Sequence, residues 1–136
     1  MVVKYLLLLF VIFSSNTYET IACGLFNYKY TVYVVNNLPS NSAPLLLHCA
    51  SGNDDLGDHV LSTNQDFHFD FCENPFSTLF FCRFRWNGKN TAFDVFDASW
   101  KKNRCTYDVC YYSVQSDGFY FSDTNPPTNL VKLSSW

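Results

Sequence analysis

Residues 65–72 alternate without a break: Phe67, Phe69 and Phe71 fall on one side, Asp66, His68 and Asp70 on the other. A period of two with aromatics on one side belongs to a strand that buries one face. Residues 79–86 repeat the pattern. Phe80, Cys82, Phe84 and Trp86 share one face, while Phe81, Arg83 and Arg85 share the other, which begins apolar and ends charged. Residues 29–35, 45–50, 91–98, 109–114 and 118–122 are further strand candidates, and no helical periodicity appears after residue 22. Residues 36–41 read as a loop, and Asn87-Gly88 is a hairpin signal between two aromatic-rich strands. Short strands with regular breaks predict an all-β chain, an antiparallel β-sandwich of about seven to eight strands.

The opening of the chain is of another kind. Residues 5–13 are almost entirely apolar and follow Lys4. Such a run spans only about 14 Å as a helix, against a bilayer core of roughly 30 Å. It reads as a secretory signal peptide over residues 1–22, with small residues at Thr20 and Ala22 before the cut. Residues 23–136 then form one domain, expected to be extracellular and not inserted in a membrane. A domain of that size has a modest core and benefits from covalent staples. All six cysteines, at 23, 49, 72, 82, 105 and 110, lie after the cut. An even count in a secreted chain argues for disulfides, although six cysteines allow fifteen complete pairings. A metal site is not expected, because Cys105 and Cys110 have no matching second pair. Parity adds that Cys49 shares a face with Leu45 and Leu47, and Cys82 with Phe80 and Phe84. Both point toward apolar neighbours, as an inter-strand staple across a core requires.

One segment carries more than strand chemistry. Leu47-His48-Cys49-Ala50-Ser51-Gly52-Asn53-Asp54-Asp55-Leu56-Gly57-Asp58-His59 resembles the L-H-C-x-S-x-D-D-D-L-G-x-H signature of the plant S-protein homologues, with Asn53 at the first acidic position. This small secreted family includes the poppy stigmatic self-incompatibility determinants. The resemblance continues through Leu79-Phe80-Phe81-Cys82-Arg83-Phe84-Arg85-Trp86, similar to the family's F-x-C-x-F-x-W strand, and reaches the closing pair Cys105 and Cys110. Tyr112 stands where the family commonly has Trp. The resemblance implies a β-sandwich and agrees with the pairs Cys49–Cys82 and Cys105–Cys110. By loop entropy these stabilise by ~4 and ~2 kcal/mol. Cys23 and Cys72 are extra to the family's four. They either tie the mature N-terminus to the sheet, which is preferred and leaves a monomer, or bridge two chains.

Each candidate site also has a plain structural role. Residues 52–59 read as a loop in which Asp54, Asp55 and Asp58 bond nearby amides, Gly52 and Gly57 admit positive φ, Leu56 tucks into the core and His59 follows. The segment does not fit a calcium loop. His48, His59 and His68 are the candidates for acid–base catalysis, yet no partner, nucleophile motif or phosphate loop accompanies them. No N-glycosylation sequon occurs. Nine Lys and Arg against twelve Asp and Glu do not suit a nucleic-acid binder. Arg83, Arg85, Lys101, Lys102 and Arg104 are the only basic clusters, read as a solvated face. Trp100 and Trp136 lie outside the alternations, and Tyr107, Tyr111 and Tyr112 gather around the last cysteine pair. No cofactor is implied.

The family resemblance therefore implies a secreted protein ligand for a cell-surface receptor, with pollen rejection as one such role. Residues 36–44, 52–59, 87–90 and 101–108 are the expected contact loops. A secreted hydrolase or nuclease, or a wall-associated structural or defence protein, are the competing classes.

Overall fold

The structure is a computed structural model that describes residues 23–25, 27–74, 76–100 and 104–136. The expected signal peptide over 1–22, and Lys101 and Lys102, lie outside the described residues. Among the described residues nine strands run β1 (Lys29–Asn36), β2 (Leu45–Ser51), β3 (Asp55–Leu61), β4 (Asp66–Cys72), β5 (Leu79–Trp86), β6 (Lys89–Asp97), β7 (Val109–Gln115), β8 (Gly118–Ser122) and β9 (Val131–Ser134). A 3-10 turn, Ala98–Trp100, follows β6. Two sheets form, in the orders β4-β1-β7-β8-β9 and β3-β2-β5-β6. The chain is thus a β-sandwich, with the alternating aromatic faces turned inward.

Local chemistry explains the four-stranded sheet. The β5–β6 hairpin turns on Asn87 and Gly88, both at positive φ (50° and 76°), the geometry that matches the twist of the flanking strands. β5 buries Phe80, Cys82, Phe84 and Trp86 and exposes Phe81, Arg83 and Arg85. The five-stranded sheet departs from the expected all-antiparallel pairing. β1 runs parallel to β7, with Val32 opposite Cys110 and Val34 opposite Tyr112. Parallel neighbours need a long connection, and here the chain builds the whole other sheet between them. β7, central in its sheet, is buried on both faces from Cys110 to Val114.

The sheets meet through rings. Phe119 lies 5.0 Å from both Phe84 and Phe93, Phe71 lies 4.6 Å from Phe80 and 4.7 Å from Phe96, and Tyr30 lies 4.8 Å from Phe96. Such pairs stabilise by about 0.5–1.5 kcal/mol beyond their buried area. Tyr112 is fully buried and donates its hydroxyl to the Val95 carbonyl at 2.7 Å, so a polar tip also crosses between the sheets. Trp136 seals one end: its indole packs on Trp86 and Phe119 and donates to the Gln115 carbonyl at 2.8 Å.

The disulfides join Cys23 to Cys72, Cys49 to Cys82 and Cys105 to Cys110. The Cys49–Cys82 bond faces the core as its parity requires, but it does not cross it. Cys49 and Cys82 are direct cross-strand partners of β2 and β5 in one sheet. The expected staple across a core is corrected accordingly. Among the described residues no disulfide links one sheet to the other, and their cohesion rests on packing and on hydrogen bonds such as that of Tyr112 to Val95.

Candidate functional site

Residues 55–59, expected as part of a loop, are the first five residues of a seven-residue strand. β3 pairs with β2, with His48 opposite Asp58 and Ala50 opposite Asp55. Two steps along β2 answer three along β3, so β3 carries one extra residue, a bulge. Gly57 supplies the left-handed turn it needs, at φ 79°. Strict alternation would put Asp55 and Asp58 on opposite faces. The bulge restores them to the same face, and both reach His48. Nδ1 of His48 lies 2.6 Å from Asp58 Oδ1, and Nε2 lies 2.7 Å from Asp55 Oδ1.

That geometry defines a charge state. An imidazole flanked by carboxylates on both nitrogens donates from both only as the cation. The Asp58 hydrogen bond, aided by the charges of both aspartates, raises the His48 pKa above its ordinary value against an opposing desolvation. Asp55 is lowered, first by the Gly57 amide that donates to its Oδ1 at 2.9 Å and then by His48. The arrangement pins the outer edge of β3 to β2.

The remaining motif residues point elsewhere. Leu56 packs against the core, and His59 donates Nε2–H to the Leu56 carbonyl at 2.8 Å while its ring stacks on Phe67 at 3.9 Å. Asp54 closes the short β2–β3 turn: its amide donates to Ser51 Oγ and its carbonyl accepts from Ser51 N. His68 sits on the far sheet, paired with Asp66 at 2.8 Å. The three histidines therefore occupy separate places, and no catalytic pair forms from them. Among the described residues no group of His, Cys, Asp and Glu is arranged to hold a metal.

The structure redraws the bounds of several expected contact loops. Within 36–44, Asn36 belongs to β1 and is buried; its side chain donates to the Leu61 carbonyl and accepts from Leu38 N, whose own side chain is buried. Its polar groups are spent on folding. In 87–90 only Asn87 and Gly88 form a turn, since β6 begins at Lys89. In 101–108 the first three residues lie outside the description. The Arg104 guanidinium lies over the Trp100 and Phe121 rings at 4.1 and 4.9 Å, which takes it out of any free basic cluster. Tyr111 and Tyr112 are buried, whereas Tyr107 is exposed.

The outer face of the four-stranded sheet carries a hollow that no single segment of the sequence encodes. Register places Val60, Leu46, Arg85 and Asn90 in one row, and Asp58, His48, Arg83 and Ala92 in the next. A concavity of about 560 Å³ opens over these rows, lined in part by Leu46, His48, Phe81 and Arg83. A second hollow of about 470 Å³ shares Leu46 and Arg85 and extends to Lys89, whose ammonium lies 5.4 Å from the Trp86 ring centre. The shared parity of Phe81, Arg83 and Arg85 was the available signal; the neighbouring strands that complete the hollow were not.

Comparison with known proteins follows the same residues. The family model for plant self-incompatibility protein S1 matches residues 31–136. S-protein homolog 5 of Arabidopsis thaliana is 40% identical over 92 residues, covering 67% of this chain and 70% of that protein. S-protein homolog 29 of the same plant is 35% identical over 117 residues, covering 85% and 80%. S-protein homolog 2 is 35% identical over 94 residues, and the match spans 66% of this chain and 58% of that protein. A solved structure, Serratia marcescens Lip, a membrane-bound component of the type VI secretion system, aligns with TM-score 0.43 at 11% identity over 80% of this chain and 99% of its own. The family match takes in every strand from Thr31 onward, the His48-to-His59 motif and the last two cysteines, and the chain belongs to the plant self-incompatibility S1 family, the S-protein homologues.

Proposed function

We propose that this chain is a secreted protein ligand, recognised by a cell-surface receptor in cell–cell signalling, with pollen rejection one member of that class of response. The observation that carries the reading is the scaffold. Every cysteine after residue 22 is bonded, so among the described residues no thiol is free, and disulfides of this kind persist in oxidising, extracellular compartments. The apolar opening of the chain supports the same route. Among the described residues no helix is long and apolar enough to cross a membrane. His48, the histidine best placed beside a hollow, has a carboxylate on each ring nitrogen and so no nitrogen open to a substrate proton. That favours recognition over turnover.

The test is saturable binding of labelled protein, secreted from cells expressing the full chain, to intact plant cells including pollen. A reduced and alkylated sample is the control. Binding shown by the oxidised protein alone, and abolished by protease treatment of the cells, is expected. Absence of specific binding on every cell type overturns the reading and brings nuclease and cell-wall assays to the front.

A further inference from the structure

We propose that the hollow along β5, centred on Arg83 and Arg85 and continuing to Lys89, docks an extended acidic segment of a partner protein; this deepens the receptor-ligand reading and rests on it. Three observations converge. The first is uncompensated charge. On this face His48 occupies both Asp55 and Asp58, while Arg83 and Arg85 form no ion pair among the described residues; Lys89, opposite Trp86 at the sheet's end, forms none either and lies over the Trp86 ring. Asp94 shares the face, opposite Phe81, and is joined to neither arginine. Charge thus grades from the carboxylates at the His48 end to the arginines without ion pairs toward the Lys89 end, on a chain whose formal net charge is −3.

The second observation is spacing. Arg83 and Arg85 are two residues apart on one strand face, hence roughly 7 Å apart along it. Carboxylates at alternate positions of an extended peptide repeat at the same roughly 7 Å. The third is the apolar ground between the charges. Leu46, Val60 and Phe81 are 42%, 61% and 43% exposed. A peptide that alternates acids with apolar side chains can satisfy both kinds of neighbour, whereas an acidic polysaccharide offers carboxylates without aliphatic side chains to cover Leu46 and Val60.

The experiment uses the oxidised protein with a fluorescent peptide that alternates Glu with Leu or Val. A scrambled Lys-containing peptide and an oligogalacturonate serve as comparison ligands. Anisotropy should report saturable binding of the acidic peptide, weakened by salt. It should fall about tenfold or more in Arg83→Glu/Arg85→Glu and several-fold in the milder Arg83→Gln/Arg85→Gln. Lys29→Glu, on the opposite sheet, should leave binding unchanged. These side chains point to solvent, and circular dichroism of each variant checks that the sandwich is intact. No saturable peptide binding, or binding indifferent to both arginine pairs, overturns the proposal. So does preference for oligogalacturonate over the peptide. Cell binding separates the two readings: a wild type that binds cells as tightly as its arginine variants overturns this surface and leaves the ligand reading standing. A wild type that binds the peptide through Arg83 and Arg85 but no cell overturns the ligand reading instead.

Discussion

The two sheets treat their outward charges in opposite ways. On the five-stranded sheet the charges answer one another: Lys29 lies 3.7 Å from Asp70, Thr31 donates its hydroxyl to Asp70 at 2.6 Å, and His68 pairs with Asp66 at 2.8 Å. On the four-stranded sheet the ion pairs among the described residues are those of His48, and the arginines beside it form none. The inner faces are alike, both aromatic and buried. The difference teaches that a face whose charges pair internally is finished when folding ends, whereas one with unpaired cations over an apolar hollow retains capacity for a partner. The staples differ as well. The four-stranded sheet has a strand-to-strand disulfide, Cys49–Cys82, and the five-stranded sheet has none between its own strands among the described residues.

The widest break in this comparison comes from removing that staple. Cys49→Ala/Cys82→Ala should lower unfolding free energy by about 4 kcal/mol, since the bond closes a loop of 33 residues. Denaturant titration measures it, and a loss below about 1 kcal/mol would show that the staple is redundant with packing. The five-stranded sheet depends instead on rings. Phe119→Ala, a fully buried site against Phe84 and Phe93, should cost about 3 kcal/mol or more by the same titration.

Smaller effects sharpen the reading of the outer faces. Gly57→Ala should cost roughly 1–2 kcal/mol, because φ 79° is left-handed, and should disturb the His48–Asp55 contact in NMR spectra. The His48 contacts also predict a pH dependence. A raised His48 pKa means its contribution is fully present below the ordinary 6.5 and is lost as pH rises through the folded-state value. A lowered Asp55 pKa means its contribution is present above the ordinary 3.8 and is lost as pH falls through its folded-state value. The charged arrangement is therefore complete between those limits. NMR titration should place the His48 midpoint above 6.5, and Asp58→Asn should lower it; a midpoint unmoved by that change would remove Asp58 as the cause. The smallest effect is the most direct comparison. Asp70→Ala should cost about 0.5–1 kcal/mol by releasing Lys29 and Thr31, and Arg85→Ala should cost none that denaturant titration resolves.

Where the chain's local pattern was strong, the structure follows it closely. Residues 79–86 and 118–122 are strands at the expected bounds, and the Asn87-Gly88 turn lies where its chemistry places it. β3 was illegible for a physical reason. Asp55-Leu56-Gly57-Asp58-His59 has no period-two pattern, because the bulge interrupts the alternation that would reveal it. β9 was equally silent: all four of its residues are exposed, so no buried face marks it as a strand. Trp136, unassigned from sequence, closes the core by reaching Trp86 and Phe119 across the fold.

Sequence alone determined the buried faces of the alternating strands, the Asn87-Gly88 turn and that Cys49 and Cys82 look inward, because those properties follow from side-chain period and turn chemistry within a few residues. Tertiary structure decided which strands become neighbours: the parallel β1–β7 pair, the placement of Cys49 against Cys82 within one sheet, and the convergence of Asp55 and Asp58 on His48. The reason is that a strand's hydrogen bonds are made with another segment. Register, and with it the hollow over Arg83 and Arg85, is therefore a property of the pair and not of either strand.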